Sequence, residues 1–407
     1  MYLTKEEEKI LDGEYGEILR RCMNLLVSLG DIYGAERLIP ITSSQISGVS
    51  YKTIKDVGLE FLEDFAKENV KVKVHSTLNP AGMDLDKWKE LGIKEEFAEK
   101  QLRIIDAFKK MGVEISCTCT PYLIGNLPKF GEHISWAESS AVSFANSVLG
   151  AKTNREGGPS ALASAILGKT PYYGYHLDEN RKAEVMIKLD EELLNLLKSL
   201  KFGESFYGAL GYLIGKMVKN GVPYFENLYK LNPSNDNLKS LGASMAASGG
   251  VALYHAKELT AECKVKEVVD DKIEKISIGI EEIKESYEKL NTTNDKPDLI
   301  CIGCPHCSLM EIKEIAEFIK KHDIKLDCDF WICTSLHTKA ILDRMGHTRI
   351  IEKAGGRVVK DTCMVVAPIE EIGYKKVATN SGKAGVYLPS FCKSEVIYGD
   401  IKDILKN

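Results

Sequence analysis

The sequence predicts an α/β fold with a largely parallel sheet, divided among two or three lobes. Two observations carry this. Short apolar, β-branched runs alternate with longer helical patterns, the arrangement that makes parallel strands joined by crossover helices. The 407 residues also exceed the span of one hydrophobic core. With 44% hydrophobic and 28% charged residues, the composition is that of an ordinary globular protein.

Taken in order, Thr4 with Glu7 three residues on forms a capping box that opens the first helix, and Lys5 to Lys9 reads as its solvated face. Cys22, within the helical stretch Ile18 to Leu26, reads as core. Arg37 to Thr42 predicts a strand, Ser43 to Ser50 a Ser/Gly-rich loop, and the segment through Phe65 a helix. Val70 to His75 predicts a second strand, Glu95 to Met111 a helix, and Val113 to Ser116 a third strand. Ser139 to Gly150 and Ser160 to Gly168 read as tightly packed small-residue helices. Asn291 to Pro297 reads as a linker, beyond which a new α/β region opens with a strand over Asp298 to Ile302. The expected lobes are residues 1–135, 136–296 and 297–407. No repeat of fixed period is present.

A net charge of -5 gives no broad footprint for nucleic acid. No segment reaches the ~20 apolar residues that a bilayer span requires, and no apolar signal core precedes the first helix. The protein is therefore expected in the cytoplasm. In a reducing compartment its eleven cysteines are not expected to form disulfides.

Three of those cysteines, Cys119, Cys304 and Cys363, stand just past predicted strands, where open α/β sheets place ligands. Three thiolates are able to hold an iron–sulfur cluster whose fourth iron stays open as a Lewis acid. Dehydration of a hydroxy acid needs such help, because hydroxide leaves poorly and a proton α to a carboxylate is weakly acidic. Cys301, Cys304 and Cys307 make a C-x2-C-x2-C run without the fourth cysteine of a ferredoxin, and no second C-x2-C pair completes a zinc site. Ser308 and Glu311 form a capping box that starts a helix directly after this run. Spacing alone does not decide between a cluster, another metal and three buried thiols.

Longer strings narrow the reading. Cys119 to Tyr122, Gly131 to His133, Trp136 to Ala141 and Thr153 to Gly158 resemble the aconitase X family, as do Gly303 to His306, Asp361 to Cys363 and Asn380 to Ala384. The resemblance covers nearly the whole chain and is greatest to the archaeal large-subunit type. It implies the aconitase-superfamily fold and a [4Fe–4S] cluster held by Cys119, Cys304 and Cys363. Cys304 is preferred to Cys301 because Gly303-Cys304 stands where ordinary aconitases have a glycine-led cluster turn. Implied substrate contacts are Gly48, Val49 and Ser50, then Asn79 and Pro80, then Glu138 and Ser139, and Lys383.

These positions also make physical sense. Gly48, in a strand-to-helix loop, lets backbone N–H groups approach an anion, although a plain turn glycine reads the same way. Lys383 supplies a point charge suited to a carboxylate or phosphate. Arg155 offers a bidentate clamp or a structural pairing, and His133 and His306 are candidates to help protonate the departing hydroxyl.

The implied activity is a hydro-lyase reaction, (R)-5-phosphomevalonate to trans-anhydromevalonate 5-phosphate, in an archaeal-type mevalonate route to isoprenoids. The swivelling domain that carries the catalytic serine base in aconitases is not recognisable after Lys383, so a separate small subunit is the expected partner. Two alternatives stand beside this. One is a cis-3-hydroxy-L-proline dehydratase of the same family, and the other is an iron–sulfur or zinc protein without chemistry of its own.

Overall fold

The computed structural model describes residues 1–200, 203–270 and 272–406. Fourteen strands form among them, in four sheets. β1 (Leu38–Pro40) pairs antiparallel with β5 (Lys169–Pro171) in a small ribbon. β2 (Ser43–Ile46), β3 (His75–Leu78) and β4 (Ser135–Trp136) make a parallel sheet in the order β3-β2-β4. β6 (Val185–Leu189), β7 (Pro223–Phe225), β8 (His255–Ala256) and β9 (Glu274–Ile278) make a second, ordered β8-β7-β6-β9. β10 (Leu299–Ile302), β11 (Asp329–Thr334), β12 (Gly356–Lys360), β13 (Lys376–Thr379) and β14 (Glu395–Tyr398) make a third, ordered β12-β11-β10-β13-β14 and parallel throughout. The α/β class and the mostly parallel sheets are as the sequence predicts.

Four local expectations are corrected. Residues 43–46 are not loop but the central strand of the first sheet, with all four side chains buried. Polar residues occupy a central strand here because they find partners: the Ser44 hydroxyl donates to the Ser135 and Ala161 carbonyls, at 2.9 and 3.0 Å, and the Gln45 amide donates to the Thr118 carbonyl at 2.8 Å. The strand expected at Val70 to His75 begins only at His75. Val70, Val72 and Val74 do pack on the first core, but the N–H groups of Val72 and Lys73 go to the Met111 and Ala165 carbonyls instead of a ladder. The third expected strand, Val113 to Ser116, makes a single bridge, Glu114 to Thr77. Glu7 also leaves the solvated face assigned to it and is buried against Lys169 at 2.6 Å.

The helical readings stand, with one change. The capping boxes at Thr4 and at Ser308 form, and Cys22 is in the core. The helix over residues 139–150 is α-helical only for Ser139–Phe144 and then widens into a π turn over Ala145–Leu149. There the buried Asn146 amide is spent on its surroundings, donating to the Thr153 and Ala252 carbonyls and accepting from the Thr153 N–H.

The division expected between residues 135 and 136 falls inside β4, a strand of the first sheet, so that lobe continues through the Gly158–Leu167 helix, which packs on β2. The second lobe is clamped to it by Arg181, a fully buried guanidinium. Its Nε donates to Glu262 at 2.7 Å, and its other nitrogens reach Asn146 and the Tyr175 and Ala151 carbonyls. Helices Glu204–Val218 and Asn235–Gly249 of this lobe also pack on the Gly382–Phe391 helix of the third. The approach is close: a Cβ on Gly382 would lie 2.5 Å from the Gly208 carbonyl oxygen. No helix among the described residues is long and apolar enough to cross a membrane.

Replacing Arg181 with Leu should lower unfolding free energy by about 3 kcal/mol, because Glu262, 2% exposed, keeps its charge and loses its main partner. A fall in the urea midpoint checks this, and an unchanged midpoint would show that Lys266 alone is enough for Glu262.

Candidate active site

The carboxyl ends of the first and third sheets meet at one cavity of about 340 Å³. From the first sheet, β2 runs out into Ser47-Gly48-Val49-Ser50, β3 into Asn79-Pro80, and β4 into Ala137-Glu138-Ser139, and all of these line the cavity. From the third sheet, Cys304 follows β10, Cys363 follows β12, and Lys383 follows β13. The chain runs outward from β10 to β12 and then returns to β13 on the other side of β10. Cys304 and Lys383 therefore flank the point where strand order reverses, the place where open α/β sheets leave a crevice. Cys119 completes the lining, from the loop beside β3.

Three helical segments begin at the cavity, although the first is broken at Lys55, where φ is +52°, and the second, Ser139–Phe144, is only 6 residues long. Ser50 caps Tyr51–Lys67, accepting from the Lys52 N–H at 3.2 Å and donating to the Val366 carbonyl at 2.8 Å, which ties the first lobe to the third. Glu138 caps Ser139–Phe144, and Ser381 caps Gly382–Phe391. No acceptor among the described residues takes the backbone N–H groups of Gly48, Val49 or Ser50. Free N–H groups at a helix start are a binding place for an anion.

Glu138 and Lys383, from opposite lobes, form a buried ion pair inside the cavity. Lys383 also donates to the Ser140 hydroxyl at 3.2 Å, while Asn79 and Ser140 donate to the Glu138 carboxylate at 2.7 and 2.9 Å. Burial by itself would raise the Glu138 pKa, but the ammonium and these hydrogen bonds outweigh it and leave the carboxyl below its ordinary value. Burial acts downward on Lys383, and Glu138 more than reverses it, so both groups stay charged. The pair leaves Asn79 Oδ1 buried and without a partner among the described residues.

The thiols are sorted clearly. Cys304 and Cys363 hydrogen-bond to each other; that bond, backed by the N–H groups of Val366 and Val365 and opposed by burial, brings the Cys363 thiol down to about 7, while Cys304 is held up. Burial pushes Cys119 up to about 12, against the pull of Lys383 and of the His306 N–H, which lies 3.1 Å from its sulfur. Cys301 faces the sheet core, 3.7 Å from the sulfur of Cys333, and Cys307 packs in the hydrophobic cluster on the other side of the sheet. Gly303, with φ +99°, makes the turn that separates them: a Cβ there would sit 2.2 Å from the Cys333 carbonyl oxygen.

Three thiols around one cavity, with a buried ammonium nearby and N–H groups aimed at two of the sulfurs, fit a cluster bound by three thiolates with one iron open. Among the described residues no three His, Cys, Asp or Glu side chains are placed to hold a single metal ion.

Two histidines and an arginine singled out in the sequence do not line the cavity, which matches the structural alternative open for each. His306 lies outside the cavity wall, fully buried, with both ring nitrogens engaged, and burial brings it down to about 4 despite its bond to the Thr362 carbonyl. It does not line the cavity. His133 pairs with His176 at 3.0 Å, away from the cavity, and Arg155 donates outward to the Gly250 carbonyl at 2.8 Å. Sequence reasoning missed Ser47, Thr53, Tyr387 and Phe391, which also line the cavity and carry no motif signal.

The fold and site are those of an α/β protein with three thiols around one cavity between its lobes. The chain belongs to the aconitase X family: the models of its first, second and third domains match residues 1–179, 183–288 and 297–407. It is 82% identical, over the full length of both chains, to the phosphomevalonate dehydratase large subunit of Methanocaldococcus jannaschii. It is 31% identical to the cis-3-hydroxy-L-proline dehydratase of Pseudomonas aeruginosa, spanning 97% of this chain and 68% of that protein. The crystal structure of Thermococcus kodakaraensis aconitase X in its holo-form superposes with a TM-score of 0.91, at 48% identity and with both chains fully covered.

Glu138→Gln or Lys383→Met alone should each cost about 3 kcal/mol or more of stability, because each strands a buried charge. The double variant should recover much of that loss. Urea unfolding of the four proteins measures the coupling, and simple additivity would show that the pair does not hold the lobes together.

Proposed function

We propose that this chain is the large subunit of a hydro-lyase that converts (R)-5-phosphomevalonate to trans-anhydromevalonate 5-phosphate, in an archaeal-type mevalonate route to isoprenoids. One observation carries the chemistry: Cys119, Cys304 and Cys363 share a single cavity with the Gly48–Ser50 turn and the Glu138–Lys383 pair. The full-length identity to a phosphomevalonate dehydratase large subunit carries the choice of substrate.

The three thiols are proposed to hold a [4Fe–4S] cluster, which when bound supplies an open iron as Lewis acid for the departing hydroxyl. The chain's own residues do the rest of the binding. The turn that opens the Tyr51–Lys67 segment, which breaks at Lys55, offers the Gly48, Val49 and Ser50 N–H groups to one anionic end of the substrate. Lys383 carries the positive charge for the other end, held in place by Glu138 and Ser140. Asn79, fixed by its bond to Glu138, presents its remaining polar atom to the substrate hydroxyl.

The base that takes the α-proton is assigned to a small swivel-domain subunit. The one carboxylate lining the cavity, Glu138, is committed to Lys383 and kept ionised by it, which makes it a weak proton acceptor. The two subunits together then form the complete site.

Reconstitution with iron, sulfide and the small subunit under anaerobic conditions, followed by an assay for water loss, tests this. Turnover of (R)-5-phosphomevalonate over cis-3-hydroxy-L-proline is expected, with no turnover by the large chain alone. Cys304→Ala should fall to background, whereas Cys301→Ala should keep its cluster and its turnover. The reverse result for the two cysteines would reassign the ligand, and activity of the large chain alone would place the base on it.

A further inference from the structure

Each thiol of the site sits on a different loop, and one side chain touches all three loops. His306 follows Cys304 by two residues, in the same turn. Its Nε2 lies 2.9 Å from the carbonyl oxygen of Thr362, the residue before Cys363. Its Nδ1 lies 2.9 Å from the hydroxyl of Thr118, the residue before Cys119. Its backbone N–H donates to the Cys119 sulfur at 3.1 Å.

The chemistry of these partners sets the tautomer. A carbonyl oxygen only accepts, so Nε2 carries the proton, and Nδ1 accepts from the Thr118 hydroxyl. The Thr118 hydroxyl oxygen accepts from the Thr120 N–H at 3.2 Å, and its own proton can go to the ring. On the far side, Lys239 reaches the His306 carbonyl at 3.4 Å from the Asn235–Gly249 helix, itself held by Glu311 and Asp236. The ring is fully buried and outside the cavity wall, so it touches no substrate.

We infer that His306 is a positioning residue for the cluster: its imidazole cross-links the Cys119, Cys304 and Cys363 loops and holds them around one cavity. The inference rests on the three-thiol reading above. Groups that orient metal ligands from behind typically change metal affinity by about 10- to 100-fold when removed. Without the ring its direct hydrogen-bonded link between the Cys119 and Cys363 loops is lost, and the cluster becomes easier to lose.

The test uses the reconstituted full chain and three variants. His306→Leu keeps the volume and removes both bonds. His306→Gln keeps a donor near the Nε2 position, and Thr118→Val breaks only the Thr118 bond without opening a cavity. Iron and sulfide per chain, the half-life of the cluster against an iron chelator, and the electron paramagnetic resonance spectrum of the oxidised cluster are read alongside the urea midpoint of the apo chain.

We expect His306→Leu to shorten the cluster half-life at least about tenfold, with a shifted spectrum. His306→Gln should recover part of it, and Thr118→Val should move in the same direction as His306→Leu. Wild-type retention and spectra in both His306→Leu and Thr118→Val would overturn the inference. So would iron loss that merely follows loss of fold, with Gln no better than Leu. A wild-type chain that binds no iron at all would overturn the three-thiol reading itself, a result distinct from either.

Discussion

Glu138 and Lys383 meet across the two sheets that make the site, and much of the arrangement depends on their meeting. Withdrawing either charge from water costs several kcal/mol, a cost their mutual attraction and their hydrogen bonds to Asn79 and Ser140 must offset. Neither residue has another partner of opposite charge among the described residues. The first and third lobes are thus held at one separation, and the cavity is left with an ammonium that acts on all three thiols. The second lobe contributes from outside, by setting its two long helices against the Gly382–Phe391 helix that carries Lys383.

The separation of binding thiols from structural ones follows from backbone geometry. Along β10 the side chains alternate, so Cys301 goes into the core with Leu299 while Ile300 and Ile302 face the opposite cluster. The left-handed turn at Gly303 ends that alternation and lets Cys304 face the cavity. Cys307, past the turn, is drawn back to the sheet by its N–H bond to the Cys333 carbonyl and by the Thr334 hydroxyl on its own carbonyl. Three cysteines spaced three apart in sequence thus reach three different environments.

Much of this was legible from residues alone. The alternation of strand and helix, the capping boxes at Thr4 and Ser308, and the strings around Cys119, Glu138, Cys304, Cys363 and Lys383 pointed to the α/β class and to every one of those residues. Other features were hidden for physical reasons. β2 is polar in sequence and central in the sheet, because its side chains satisfy each other's neighbours inside the core rather than water. Val70 to Val74 carries a strand pattern, yet the Val72 and Lys73 N–H groups bond to the helix-end carbonyls of Met111 and Ala165, and Val113 to Ser116 makes only one bridge, to β3.

The sequence by itself determined the local chemistry: which residues are thiols, carboxylates and ammoniums, and which turns follow a strand. Such information is short-ranged, set by propensity and by patterns of a few residues. Only the tertiary structure decided which of the eleven cysteines share a cavity, that Glu138 and Lys383 neutralise each other, and that His306 braces the cysteine loops from outside the wall. Those outcomes join residues separated by 56 to 245 positions, and a contact at that range depends on how the sheets pack rather than on any local preference.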